Sequence, residues 1–141
     1  MNTTPSCLVL MPYGRSHQHW QERIRQTIVD VLERTGVSAV LPDEFVAGAR
    51  WADAMLESLR SSDFIIADLS ESNPNVIFEL GVAHGLRKPF IILVSTKGEG
   101  TIPSDLPGYQ YITYDPTDPF ELEFRLEKIV RAMQMRLEAS R

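Results

Sequence analysis

Residues Asp63–Ser95 read DFIIADLSESNPNVIFELGVAHGLRKPFIILVS, and this stretch decides the fold. Phe64–Leu69 is a short apolar run bounded by polar residues, the pattern of a strand buried on both faces. Ser70–Asn75 is rich in turn formers, and either Asn73 or Asn75 can cap a following helix. Val76–Leu86 reads as that helix, and Pro89–Val94 as a second buried strand. The result is a strand–helix–strand unit with short connections. Placed on a wheel at about 100° per residue, Val76, Leu80, Ala83 and Leu86 share one face of the helix. Glu79 falls between Ala83 and Leu86, inside the apolar stripe. A carboxylate there is costly to bury unless it is paired or faces a cleft.

Working outward, the same alternation covers the chain. Cys7–Met11 reads as a first buried strand, ended by the turn-forming segment Pro12–Ser16. His17–Thr35 carries Trp20, Ile24, Ile28, Val31 and Leu32 at helical spacing, and Gly36 stops it. Val37–Leu41 is a short strand, Pro42–Arg50 a loop, and Trp51–Ser61 a second amphipathic helix. Beyond Pro89–Val94, the Gly- and Pro-bearing segment Thr96–Gly108 is a long loop. Tyr109–Tyr114 is a last strand, and Phe120–Leu137 a terminal helix with Leu122, Leu126, Ile129, Val130 and Met133 inward. Strands alternating with helices imply a parallel sheet covered on both faces. Residues 1–141 are therefore expected to form one α/β domain, a flavodoxin-like three-layer sandwich. Its five-stranded parallel sheet has order 2-1-3-4-5.

In that order the first and third strands are neighbours, and their C-terminal ends border the point where the chain reverses direction across the sheet. Open α/β sheets place ligands there. Tyr13, Arg15, Asp68, Asn73, Asn75 and Glu79 are expected to converge there as a ligand-binding set, with Gly14 in the same loop able to offer its backbone amide to a phosphate.

Composition narrows the ligand. The net charge is −5, with no Lys/Arg block to neutralise a run of phosphates, so a nucleic-acid polymer is not the expected partner. A single phosphate on a helix N-terminus needs no net positive charge. Cys7 is the only cysteine, so no intrachain disulfide forms, and its apolar surroundings suit a small core residue. No signal peptide or membrane-spanning run is read, which points to a cytoplasmic protein without a membrane partner. His17 and His19 point to different sides of a helix, and no ligand spacing supports a metal site. No metal and no cofactor is expected.

The segment Ala67-Asp68-Leu69, Asn73-Pro74-Asn75-Val76, Glu79-Leu80-Gly81-Val82-Ala83-His84-Gly85-Leu86 and Lys88-Pro89 resembles the nucleoside 2-deoxyribosyltransferase superfamily, which includes deoxynucleoside monophosphate N-glycosidases. It is similar, more distantly, to TIR (Toll/interleukin receptor) domains, some of which cleave NAD. Leu8–Gly14 resembles the first strand and loop of stand-alone bacterial members. The resemblance implies a small-molecule partner, a nucleoside, nucleotide or NAD, and is compatible with a homo-oligomer. It implies that Glu79 acts on the anomeric carbon of an N-glycosidic bond, as nucleophile or as stabiliser of an oxocarbenium-like centre. The transferase-like enzymes carry a second carboxylate in the preceding helix. An ungapped count from Glu79 puts Met55 there, flanked by Asp53 and Glu57. Asn73 stands where the family has an Asp or a phosphate-binding Ser. A leaving group that is already cationic, such as the nicotinamide of NAD, needs no acid, so both differences shift weight toward NAD-type cleavage.

Plainer readings stand beside these. Glu79 could pair with Arg87 or Arg15; Asp68 could only cap its loop; Tyr13 and Trp51 could be packing residues; Gly14–Ser16 could be an ordinary turn. In that case the chain is a nucleotide-sensing or protein-interaction module without turnover.

Overall fold

The computed structural model describes residues 4–11, 19–41, 51–71, 73–97 and 111–140. In chain order these form β1 (Ser6–Leu10), α1 (His19–Arg34), β2 (Ser38–Val40), α2 (Trp51–Ser61), β3 (Phe64–Asp68), α3 (Pro74–Gly85), β4 (Phe90–Ser95), β5 (Tyr111–Tyr114) and α4 (Pro119–Ala139). The five strands make one sheet of order β2-β1-β3-β4-β5, and every pairing is parallel. Both the α/β class and the strand order expected from the sequence are therefore present. Element ends move by one or two residues. At α3 the start moves two residues, to Pro74 rather than Val76, because proline's fixed φ and missing N–H suit the first helical position.

The pattern of each strand follows from its place. β3 lies between β1 and β4 and is buried at every residue. β5 is an edge strand and alternates, with Ile112 and Tyr114 buried and Tyr111 and Thr113 exposed. Strand parity then sorts the core into two layers. Cys7, Val9, Phe64, Ile66, Ile91 and Leu93 face α1 and α4; Leu8, Leu10, Ile65, Ala67, Phe90 and Ile92 face α2 and α3. Cys7 is fully buried and its thiol pKa is pushed well up by desolvation, as suits a core residue.

Helix ends are closed by local chemistry. Gly36 takes φ +79° after α1, and the Val37 amide reaches back to the Leu32 carbonyl at 2.8 Å. α3 ends the same way with a residue less suited to it. Arg87 takes φ +58°, and the Lys88 amide donates to the Ala83 carbonyl at 3.0 Å. At the outer strand, the Tyr114 carbonyl accepts from the Thr96 amide at 2.9 Å, so the Thr113 carbonyl points away from β4. There it accepts from Arg125 Nη1 at 2.8 Å. Among the described residues no helix is long and apolar enough to cross a membrane.

Candidate active site

Direction reverses between β1 and β3, and the segment that leaves β3 there builds the site upward from the sheet. The Leu69 amide donates to the Leu93 carbonyl at 2.8 Å, prolonging the ladder by one residue. The Asn73 amide donates to the Glu71 carbonyl at 2.6 Å, and Asn73 then caps α3 with its side chain. Its Oδ1 accepts from the amides of Asn75, at 2.9 Å, and Val76, at 3.3 Å. Of the two asparagines the sequence offered as caps, Asn73 does the work; Asn75 sits exposed in the first turn.

One turn further on lies Glu79. Val76, Glu79, Leu80 and Ala83 are the buried residues of α3, so the carboxylate occupies the core-facing stripe as its spacing predicts. Only 5% of the residue is exposed. Among the described residues no hydrogen bond or ion pair reaches its carboxylate. Desolvation raises its pKa to about 7. Arg87, one of the two partners the sequence suggested, is exposed beyond the helix end and makes no ion pair with it among the described residues.

Asp68 is placed differently. It shares parity with Phe64 and Ile66, so it projects from the face that carries α1 and α4, opposite the face covered by α3. It is 1% exposed and both oxygens are engaged. Oδ1 accepts from the Ser70 amide at 2.7 Å, and Oδ2 from the Tyr114 hydroxyl at 2.6 Å. The Ser70 hydroxyl lies 3.3 Å from the Tyr114 hydroxyl and accepts from the Ser95 amide at 2.7 Å. Burial pushes the Asp68 pKa up, against the two hydrogen-bond donors, and burial also raises that of Tyr114. The expected meeting of Asp68 and Glu79 in one cluster is therefore not what the fold makes; the two carboxylates lie on opposite sides of the sheet. The loop capping considered for Asp68 is present, as its bond to the Ser70 amide.

Two contacts tie the first turn of α1 to this edge. Trp20 meets Tyr114 edge to face with centroids 6.4 Å apart, and Gln21 Nε2 donates to Glu71 Oε1 at 2.9 Å. The sequence analysis missed Ser70, Tyr114 and Gln21. Their partners lie 44 to 50 residues away, and only the periodicity that made Tyr114 inward-facing hinted at a role. Tyr13, Gly14, Arg15 and His17 lie outside the described residues. Met55 is buried among the apolar side chains between α2, α3 and the sheet, whereas Asp53 and Glu57 are exposed.

The TIR domain family model matches residues 13–130, most of the chain. The chain belongs to the TIR domain family. No curated protein matches the sequence of this TIR domain. Solved structures share its fold at low identity. A CMP N-glycosidase from Clostridium botulinum is 16% identical with a TM-score of 0.66, covering 86% of this chain and 98% of its own. The TIR domain of a Toll-related receptor from Hydra magnipapillata is 18% identical with a TM-score of 0.66, covering 94% and 99%. A 2-deoxyribosyltransferase from Bacillus psychrosaccharolyticus is 16% identical with a TM-score of 0.61, covering 84% and 90%. The TIR domain thus shares one architecture with N-glycosidase, deoxyribosyltransferase and receptor domains alike.

Proposed function

We propose that this TIR domain cleaves the N-glycosidic bond of a nucleotide-type small molecule, with Glu79 as the catalytic carboxylate. The observation that carries the reading is a carboxylate set in the apolar stripe of the helix that follows β3, which no hydrogen bond or ion pair among the described residues reaches. A carboxylate among apolar side chains adds little to stability, whereas a developing positive charge on a sugar ring gives it a counter-charge. In the reaction the bond between the anomeric carbon and the base nitrogen breaks, and its electron pair leaves with the base. Glu79 stabilises the oxocarbenium-like carbon or bonds to it; water or an acceptor hydroxyl then completes hydrolysis or transfer. Asn73, Asn75 and the segment Tyr13–Arg15 are proposed to hold the sugar and phosphate of the substrate, in a cytoplasmic setting.

Met55 and Asn73 favour NAD as that substrate. A neutral base leaves readily only when protonated, and the aligned acid position holds a buried thioether. The Asn73 oxygen is already committed to two backbone amides. Nicotinamide begins as a cation and departs neutral with no proton added. Its positive ring beside Glu79 also favours the ionised carboxylate, although the free group has a pKa of about 7. Incubation with deoxynucleosides, their monophosphates and NAD, followed by detection of free base or nicotinamide, tests both readings. Nicotinamide release lost in Glu79→Gln is the expected result. No product from any member of the panel would leave a nucleotide-sensing or interaction module in its place.

A further inference from the structure

The mechanism above does not use the buried hydroxyl and carboxylate chain at the other face of the sheet. Donors and acceptors in that chain run in one direction. The Ser95 amide donates to the Ser70 hydroxyl, the Ser70 hydroxyl is free to donate to Tyr114, and the Tyr114 hydroxyl donates to Asp68. Asp68 closes the circuit by accepting from the Ser70 amide. Three strand ends are thereby joined: Asp68 is the last residue of β3, Ser95 of β4 and Tyr114 of β5. The segment leaving β3 is held where it departs from the sheet. Gln21 of α1 fastens the next residue, Glu71, by its side chain, and the Glu71 carbonyl accepts from Asn73, the cap of α3. A continuous run of short bonds therefore leads from Tyr114 to the turn of α3 that precedes Glu79.

We propose that Asp68 and Tyr114 are positioning residues, which touch no substrate and instead lock the β3–α3 connection so that α3 presents Glu79 at a fixed depth at the sheet edge. The inference rests on the catalytic reading of Glu79, and it reassigns Asp68 from substrate binding to support. The geometry argues for support over substrate contact in three ways. Asp68 is 1% exposed, both its oxygens are occupied, and it projects from the face that α3 does not cover. Moving a reacting group by about 1 Å is enough to cost on the order of 100-fold in rate. A lock on the connection thus has a large kinetic effect without contact.

Tyr114→Phe removes a single hydroxyl and keeps the ring against Trp20. Three readouts are made on it, on Ser70→Ala as a second break in the same chain, and on Val130→Ala. Val130 lies fully buried on α4, in the same core layer but outside the chain of bonds. The first readout is amide hydrogen exchange at Ser70, Asn75 and Val76, expected to speed up by about tenfold or more in the two network variants. The second is the carboxyl titration of Glu79 followed by carbon-13 NMR, expected to move down from about 7 toward the ordinary carboxylate range as water reaches a loosened helix. The third is steady-state kinetics with the substrate identified in the panel, expected to show kcat lowered roughly 10- to 100-fold with KM little changed. Val130→Ala is expected to lower the melting temperature and leave all three untouched. If the network variants behave as Val130→Ala does, the positioning role is overturned. If the wild type releases no product from any substrate, the catalytic reading fails, and the exchange and titration still decide whether the network sets the placement of Glu79.

Discussion

Asp68 and Glu79 are both buried carboxylates within a few residues of the same sheet edge, and the fold treats them in opposite ways. Asp68 is surrounded by donors: a backbone amide on one oxygen and a phenol on the other. Glu79 has none among the described residues, and desolvation raises its pKa to about 7. Burial raises the pKa of both, so the shift by itself does not distinguish a structural group from a reactive one. The distinction lies in what surrounds the oxygens. A saturated carboxylate has its work done by the folded state; a bare one is held ready for a charge that arrives from outside.

The largest expected effect comes from removing the charge on the bare group. Glu79→Gln should cut base or nicotinamide release by at least about 100-fold, the loss typical of deleting a transition-state electrostatic partner. A variant that stays folded and retains its rate would break the comparison outright. The thermodynamic counterpart is next in size. Because Glu79 titrates near 7 in the folded protein, against an ordinary 4.5, the folded state holds its proton through a window where the unfolded chain has released it. Stability from this group is therefore full below about pH 4.5, falls as pH rises, and is lowest above about pH 7. Solvent screening of the carboxylate keeps the total change on the order of 1–2 kcal/mol. Urea unfolding across that range should show the decline in the wild type, while Glu79→Gln should lack this component and be the more stable protein at pH 8.

The saturated group should respond with the opposite sign. Asp68→Asn keeps the shape but removes the charge: its amide nitrogen either meets the Ser70 amide, donor against donor, or forces the Tyr114 hydroxyl to reverse and accept. A loss of about 1–3 kcal/mol by urea unfolding at pH 7 is expected. Stabilisation there would remove the contrast between the two carboxylates. The smallest effect concerns a residue that could have paired with Glu79. Arg87 stands in the left-handed region at φ +58°, where glycine is at ease. Arg87→Gly should raise stability by about 0.5–1 kcal/mol and leave the carboxyl titration of Glu79 in place. A shift in that titration would show that Arg87 contributes charge to the site after all.

How much of this was legible in the sequence depends on the range of the contacts involved. Glu79 was found by a wheel because burial on a helix is a local, periodic property, and Val76, Leu80 and Ala83 mark the stripe around it. The strand order followed from alternation and crossover handedness, both properties of neighbouring elements. The bond from Tyr114 to Asp68 was not legible, because it joins residues 46 apart and no periodicity can aim a hydroxyl. Part of the signal was present: Asp68 keeps step with Phe64 and Ile66, whereas Ala67 and Leu69 keep step with the residues under α3. Met55 could be counted into position from Glu79, but only packing showed it to be apolar core. Tyr13, Gly14 and Arg15 remain expectations carried by the sequence and its resemblance.

The bond from Arg125 to the Thr113 carbonyl has a consequence for how this protein behaves in a crowded solution. β5 ends the sheet, and an exposed strand edge is a template on which another chain can crystallise, one strand at a time. Here an outward carbonyl of that template is occupied by a guanidinium carried on the terminal helix of the same molecule. An incoming strand must first displace a cation and then accommodate its charge at the growing edge. At this edge one outward carbonyl is thus already taken by an arginine of the same molecule, which makes the strand a poorer template for a fibre.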